Sequence, residues 1–432
     1  MKSSVLLTGC VCALSSAAVL LARPVLAASP AATEPGVRAV PSASPAEAAG
    51  PLLLRQGVEA AWQRHPWAQA LATRQTQQQA DLSLAGAWVS APPTASLGRL
   101  GDRAGTRAPR QEWEAELSVP LWWPGQRGAG RTLAERSQAQ LEAEAAAQKL
   151  LVAEAVRTAW WTVLSAQDQV AVLQGRVEAA EALQQDVERR HRAGELARVD
   201  AHAASAEWLA ARSELAEARQ ALRAAEGRWQ ALTGLPMAAQ VPSATWPSAQ
   251  TEEVTVDAHP ALQAAQLEAA VAEARVDVAA AAAREAPEVA VRVVRERRDT
   301  TEPFDNTVGV RVSVPLGSTP RTLRASAGAR AEWIEADARM AQLTVRLHAA
   351  LTEAHEALAT ARTRLGLARE RAELAADSER LLRKAFSLGE VDLATLLRAR
   401  AGAFDADREL RRQRRALDAA QDQLQHALGR LP

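Results

Sequence analysis

The chain has 432 residues, enough for two or three ordinary domains or for one body built on long helices. Its 51 Lys+Arg balance 51 Asp+Glu, so no net field draws in nucleic acid or an acidic substrate. Alanine, leucine, glutamate, glutamine and arginine dominate and tyrosine is absent, a composition of long helices rather than of a mixed globular domain.

Residues 1–27 read as a secretory signal peptide: Lys2, an apolar run from Val5 to Leu21, then small residues around Ala27 where a signal peptidase would cut. Both cysteines, Cys10 and Cys12, lie inside it, so the exported protein is expected to carry no thiol, disulfide or cysteine-bound metal. Leu7-Thr8-Gly9-Cys10 looks like a lipoprotein cleavage box, but nine residues ahead of Cys10 are too few for an apolar signal core, and lipid anchoring there is not expected. Residues 28–50 read as a flexible linker. No later segment approaches the ~18 uninterrupted apolar residues of a membrane helix, so any entry into a membrane must be as a barrel.

An internal repeat organises the rest of the chain. His65-Pro66 recurs as His259-Pro260 and Pro93 as Pro287, both 194 residues on. Ser118-Val119-Pro120 recurs as Ser313-Val314-Pro315, Gly194-Glu195 as Gly389-Glu390 and Gly234 as Gly429, all 195 residues on. One single-residue shift of register relates all five landmarks. They place a first repeat at 51–234, a linker at 235–258 and a second repeat at 259–432.

Each repeat reads as helix, strand, strand, long helix, long helix, a mainly α fold with a small β part. First helices are expected at about 65–89 and 259–286, stopped by Pro92-Pro93 and by Pro287. Strands are expected at about 94–101, 111–120, 287–295 and 306–315. Trp113, Ala115, Leu117 and Val119 alternate with Glu112, Glu114, Glu116 and Ser118, while Val308, Val310, Val312 and Val314 alternate with Thr307, Gly309, Arg311 and Ser313. Polar loops, Asp102 to Arg110 and Arg295 to Asn306, join each strand pair. Long helices follow at about 128–192 and 197–233, then 320–386 and 391–429. Leu343, Leu347, Leu351, Ala354, Leu358 and Ala361 step by threes and fours, as do Leu396, Ala399, Ala403, Ala406 and Leu410, which is a coiled-coil seam with closely spaced axes. At ~1.5 Å per residue, a helix from Gly128 to Arg192 would be roughly 100 Å long, the scale of a periplasm rather than of a globular domain.

Four strands of about ten residues can cross an outer membrane but cannot close by themselves, and an open sheet in lipid leaves backbone groups unsatisfied at its edges. Closure therefore calls for further subunits, and strand counting alone does not choose between three and four. The alternation sends valines and alanines toward lipid and Glu112, Glu114, Glu116 and Arg311 toward a wet lumen. Trp113, Trp122 and Trp123 are candidate membrane-interface aromatics; a soluble hairpin domain with the tryptophans in its core is the competing reading.

With the Ser-Val-Pro-Leu strand ends at 118–121 and 313–316 and the turns Arg192-Ala193-Gly194-Glu195-Leu196 and Ser387-Leu388-Gly389-Glu390-Val391, the chain from about Leu52 to Gly429 resembles the TolC-like outer-membrane efflux family. The resemblance implies a homotrimer whose twelve strands form one barrel in outer-membrane lipid, continued by an α-helical periplasmic tunnel. It also implies a passive exit duct of a tripartite (RND-type) efflux system, served by an inner-membrane transporter and a periplasmic adaptor. The adaptor would dock on the hairpin tips at Arg192, Gly194, Glu195, Leu388, Gly389 and Glu390. The turn Gly125-Gln126-Arg127-Gly128 resembles that of the cobalt-zinc-cadmium branch, which would make heavy-metal cations a cargo. Family members set acidic residues just after the second tip; here Thr395 and Arg398 take those places, with Asp200 and Ala203 in the first repeat, so Asp200, Thr395 and Arg398 are the candidate periplasmic gate.

Other constellations have plainer readings. Glu195 and Glu390 can simply begin the next helix, where a carboxylate meets the positive end of the dipole. His191 and His202 flank the first tip without a ligand cluster, so no metal is expected. Arg411-Arg412 and Arg414-Arg415 sit among Asp405, Asp407, Glu409 and Asp418, which makes them a salt-bridged helix face rather than a nucleic-acid patch. There is no phosphate loop, nucleophile elbow or catalytic carboxylate pair, so neither enzymatic activity nor a cofactor is expected. A type I secretion duct shares the architecture, and a periplasmic coiled-coil scaffold is the alternative from another class.

Overall fold

The computed structural model describes residues 49–101, 110–237, 256–282, 285–298, 302–316 and 319–432. The expected signal peptide, Cys10 and Cys12, most of both linkers and the tips of the strand loops lie outside the described residues.

In chain order the elements are α1 (Ala49–Arg64), α2 (Pro66–Gly86), β1 (Thr94–Gly101), β2 (Gln111–Pro120), α3 (Gln126–Arg192), α4 (Arg198–Thr233), α5 (Pro260–Ala281), β3 (Glu288–Arg297), β4 (Asp305–Ser313), α6 (Thr319–Ser387) and α7 (Leu393–Ala427). The His-Pro pairs start helices. His65 Nδ1 accepts the Trp67 amide at 3.3 Å and His259 Nδ1 accepts that of Ala261 at 3.2 Å, while the following proline takes the first helical position, where no amide hydrogen is needed.

α3 runs for 67 residues and α6 for 69, with no interior proline to break the hydrogen-bond ladder. Each folds back on its successor, α3 on α4 and α6 on α7, and α5 packs against both α3 and α6. The seam positions Ala354, Leu358, Ala361, Leu396 and Ala406 are buried between α6 and α7 or beside their neighbours, and the small alanines let the axes approach. The first hairpin carries the largest core cluster. Val156, Trp160 and Val163 of α3 meet Ala225 and Trp229 of α4, with the two indoles 5.5 Å apart. Leu54, Val58 and Ala61 of α1 close this cluster, each buried apolar side chain contributing about 1.5–3 kcal/mol where it is Leu or Val. α1 is an element that the sequence reading did not single out. Its apolar face repeats at steps of four and three, but over little more than two turns.

The four strands form one antiparallel sheet in the order β1-β2-β3-β4. β2 of the first repeat pairs with β3 of the second, with Leu117 opposite Val291 and Glu116 opposite Arg292. β1 and β4 are therefore the edges.

Candidate channel wall and helical tips

Antiparallel register assigns every strand residue to one of two faces. One face is charged and cross-linked. Arg292 bonds Glu114 at 2.7 Å and lies 3.9 Å from Glu112, and Arg110 bridges Glu112 and Glu296 at 3.0 Å each. Glu112 and Glu296 are direct cross-strand partners, so without Arg110 they would repel. Arg311 of β4 reaches past the small Ala290 of β3 to Glu116 of β2. The other face holds Leu97, Leu117, Val291, Val293, Val308, Val310 and Val312, all exposed.

On the inner strands β2 and β3 the apolar face is the more exposed, the reverse of a soluble sheet, while the edge strand β4 is exposed on both faces. The side chains of Glu112 and Glu116 are 14% and 16% exposed, whereas Leu97 is 76% and Val310 71% exposed. Trp113 lies on the apolar face near its loop end, with Arg99 stacked on it at 5.1 Å. Trp122 and Trp123 mark the other end, where their indole N–H groups donate to the Ala87 carbonyl at 3.0 Å and the Glu285 carbonyl at 2.6 Å. They stitch the segments entering β1 and β3 to the segment leaving β2. From Trp113 to Trp122 the chain advances roughly 30 Å at ~3.3 Å per residue, or about 23 Å of height at a ~40° tilt.

At the opposite end of the helices, both hairpins turn alike. Gly194 and Gly389 have φ of 82° and 76°, a left-handed conformation open to glycine without steric cost. The Glu195 amide donates to the Arg190 carbonyl at 2.9 Å and the Glu390 amide to that of Ala385 at 3.0 Å, closing the last turns of α3 and α6. Glu195 and Glu390 thus lie in the turns and do not begin the next helices. That part falls to aspartates. Asp200 accepts the Ala197 amide at 3.2 Å, and Asp392, which the sequence reading passed over, caps α7 by accepting the Thr395 amide at 2.9 Å. Asp392 followed three residues on by Thr395, ahead of an apolar run, was the available signal. Hydrogen bonds from Thr395, then the charge of Arg398, hold the Asp392 carboxyl below its ordinary range.

The two tips pack together through Leu183, Val187, Ala201, Ala204, Phe386, Leu393 and Leu396. Arg192 pairs with Glu188 at 3.4 Å, and Leu388 is exposed. Of the candidate gate residues, Arg398 donates to the Thr395 hydroxyl at 3.2 Å, and among the described residues no hydrogen bond or ion pair joins either to Asp200. The arginine run on α7 is ion-paired: Arg411 with Asp407, Arg412 with Glu409 and Arg415 with Asp168 of α3.

A buried ion pair that the sequence reading missed ties the repeats together. Arg157 of α3 donates to the main-chain carbonyls of Asp422 and Arg430 at 3.0 Å each, and its guanidinium lies 3.4 Å from the Asp422 carboxylate. The Trp161 indole donates to the same carboxylate at 2.9 Å. Burial pushes the Asp422 carboxyl up, against the opposing charge of Arg157 and the bond from Trp161. No local signal marks two residues 265 positions apart as partners.

Among the described residues no helix is long and apolar enough to cross a membrane, and no group of three His, Cys, Asp or Glu is placed to hold a metal. No curated protein matches the sequence. Solved structures do match in fold. The outer membrane protein VceC of Vibrio cholerae aligns over 89% of this chain and 98% of its own, at 16% identity and a TM-score of 0.73. CusC aligns over 87% and 92%, at 14% identity and 0.71. The outer membrane channel CmeC of Campylobacter jejuni aligns over 87% and 85%, at 14% identity and 0.70. The family model described as outer membrane efflux protein matches residues 58–235, from within α1 to just past the end of α4. Residues 58–235 of the chain thus match the outer membrane efflux protein family, and most of the chain shares the fold of these solved structures.

Proposed function

We propose that the chain is one protomer of a trimeric outer-membrane channel, the passive exit duct of a tripartite efflux pump fed by an inner-membrane transporter through a periplasmic adaptor. The observation that carries this reading is the pair of inverted inner strands, with valines and leucines exposed on one face and ion-paired glutamates less exposed on the other. Such a wall suits lipid on one face and water on the other. The edges β1 and β4 offer backbone donors and acceptors that lipid cannot satisfy, and three copies joined edge to edge give twelve strands with none left open.

The helices support the same assembly. On α6, Leu323, Ile334, Val345, Leu367, Leu374 and Leu381 are each more than half exposed and follow one another at steps of seven, eleven or twice eleven residues. At ~100° per residue these form one stripe, opposite the buried Ala354 and Leu358 that face α7. A neighbouring protomer would cover it. In this reading the tips around Gly194 and Gly389 dock the adaptor, and Asp200, Thr395 and Arg398 line the periplasmic entrance. Cargo choice rests with the transporter, so heavy-metal export is one service the duct could give among several.

Native mass spectrometry of the protein purified in detergent, together with planar-bilayer recording, tests the reading. A trimer that conducts in unitary steps is expected. A stable monomer with no conductance overturns it.

A further inference from the structure

We propose that the loop end of the sheet's apolar face is a binding surface for the phosphate groups of outer-leaflet lipid headgroups. This rests on the barrel reading above, in which the long helices leave one end of the sheet toward the periplasm and the strand loops face outward.

The arginines of the sheet fall into two sets. On the charged face Arg110, Arg292 and Arg311 each hold a glutamate. On the apolar face Arg99, Arg295 and Arg297 have no carboxylate within ion-pair distance among the described residues. Register places the second set together. Arg99, Trp113, Arg295 and Asn306 are successive cross-strand partners in one row, and Gln111 with Arg297 forms the next row outward. The row lies just past the apolar band of Leu117, Val291, Val308 and Val310 on the same face.

Aromatic rings hold these guanidiniums in place. Arg99 lies over Trp113 at 5.1 Å, while Arg295 and Arg297 both lie over Phe304, at 4.5 and 4.6 Å. Arg297 also donates to the Gln111 side chain at 2.8 Å. A ring face steadies a guanidinium without neutralising it, so three positive charges with free N–H donors border an apolar wall. Water alone would not favour that spacing, since an arginine serves solubility equally well on the loops. A phosphate matches the planar donor pair of a guanidinium, and the acyl chains beneath it match the valines. The cost of a lipid-facing arginine is high at the bilayer centre and nearly vanishes at the interface, where these three stand.

The test uses the full assembled protein in detergent, titrated in native mass spectrometry with bis-phosphorylated lipid A and with the same lipid stripped of its phosphates. The expected result is a preference of at least about tenfold for the phosphorylated form. The triple variant R99Q/R295Q/R297Q should lose that preference, R99K/R295K/R297K should keep most of it, and R223Q/R228Q/R330Q, which removes equal charge from the helices, should keep all of it. A wild-type trimer with no preference overturns the proposal and leaves the barrel standing, whereas a wild-type monomer overturns both. Equal loss in the helix variant, or equal competition by inorganic phosphate, also overturns it, by showing general charge or a free-anion site. If the glutamine variant does not assemble, the wild type still decides: raising salt from about 50 to 500 mM must shrink the preference, and a salt-independent preference refutes the proposal.

Discussion

Replacing Val310 with arginine tests the orientation of the sheet, because its neighbours place it near the middle of the apolar wall. Val310 pairs with Val291, which pairs with Leu117, which pairs with Ala95, so its row across the sheet is wholly apolar. It stands four residues below the row of Trp113, Arg295 and Asn306, roughly 13 Å along the strand at ~3.3 Å per residue. At a ~40° tilt that is about 10 Å of depth in a band ~25 Å tall, close to the midplane. An arginine on the lipid face costs about 2–4 kcal/mol there, so a trimer carrying three would lose about 6–12 kcal/mol. Thr307→Arg is the control, because Thr307 lies opposite Val294, which lies opposite Glu114 on the charged face. An arginine there gains a wet surface and a carboxylate neighbour. The assay is the amount of SDS-resistant trimer in isolated outer membranes. Val310→Arg should reduce it to less than about a tenth of wild type, while Thr307→Arg leaves it within about twofold. Equal tolerance of both, or greater harm from Thr307→Arg, would refute the assignment of faces.

Two further predictions concern the junction of the repeats. Arg157→Met leaves the Asp422 carboxylate buried without its cation, and Asp422→Leu leaves the guanidinium without its anion, so each single change should weaken protection of the α7 amides from hydrogen exchange by about 3–5 kcal/mol. The double variant R157M/D422L should return to within about 1 kcal/mol of wild type; additive losses would mean that the pair does not act as a unit. His426 is a pH-sensitive group beside them, 3.7 Å from Glu154 and within reach of the charges of Arg157 and His259. Burial and then the charge of Arg157 push its pKa below the ordinary 6.5, with Glu154 opposing and His259 reinforcing. A depressed pKa means that the unfolded chain takes up the proton first. The stability His426 contributes is therefore present above about pH 6.5 and lost as pH falls through its folded value. Exchange of the α7 amides should accelerate between pH 7 and 5, and less so in His426→Gln; an unchanged profile in that variant would remove His426 from the effect. His259 is depressed by burial in the same direction, so part of the slope should remain.

The family resemblance was legible because it rests on local physics repeated twice. A turn between antiparallel helices needs positive φ, and glycine stands at 194 and 389; a β-strand alternates its side chains, and the sequence from Glu112 to Val119 alternates charge with apolar bulk. From such periodicities the sequence by itself determined the element types, a mostly helical chain with a small sheet, and which strand residues share a face. Only the tertiary structure decided which face of the inner strands is the less exposed, that β2 pairs with β3 across the repeat boundary, and that Arg311 passes over Ala290 to reach Glu116. It alone decided the place of α1, whose few apolar positions become a core only against Trp229, and the meeting of Arg157 with Asp422. The division follows from range. Backbone conformation and side-chain period are set by neighbours a few residues away, whereas pairing and burial depend on segments hundreds of residues apart.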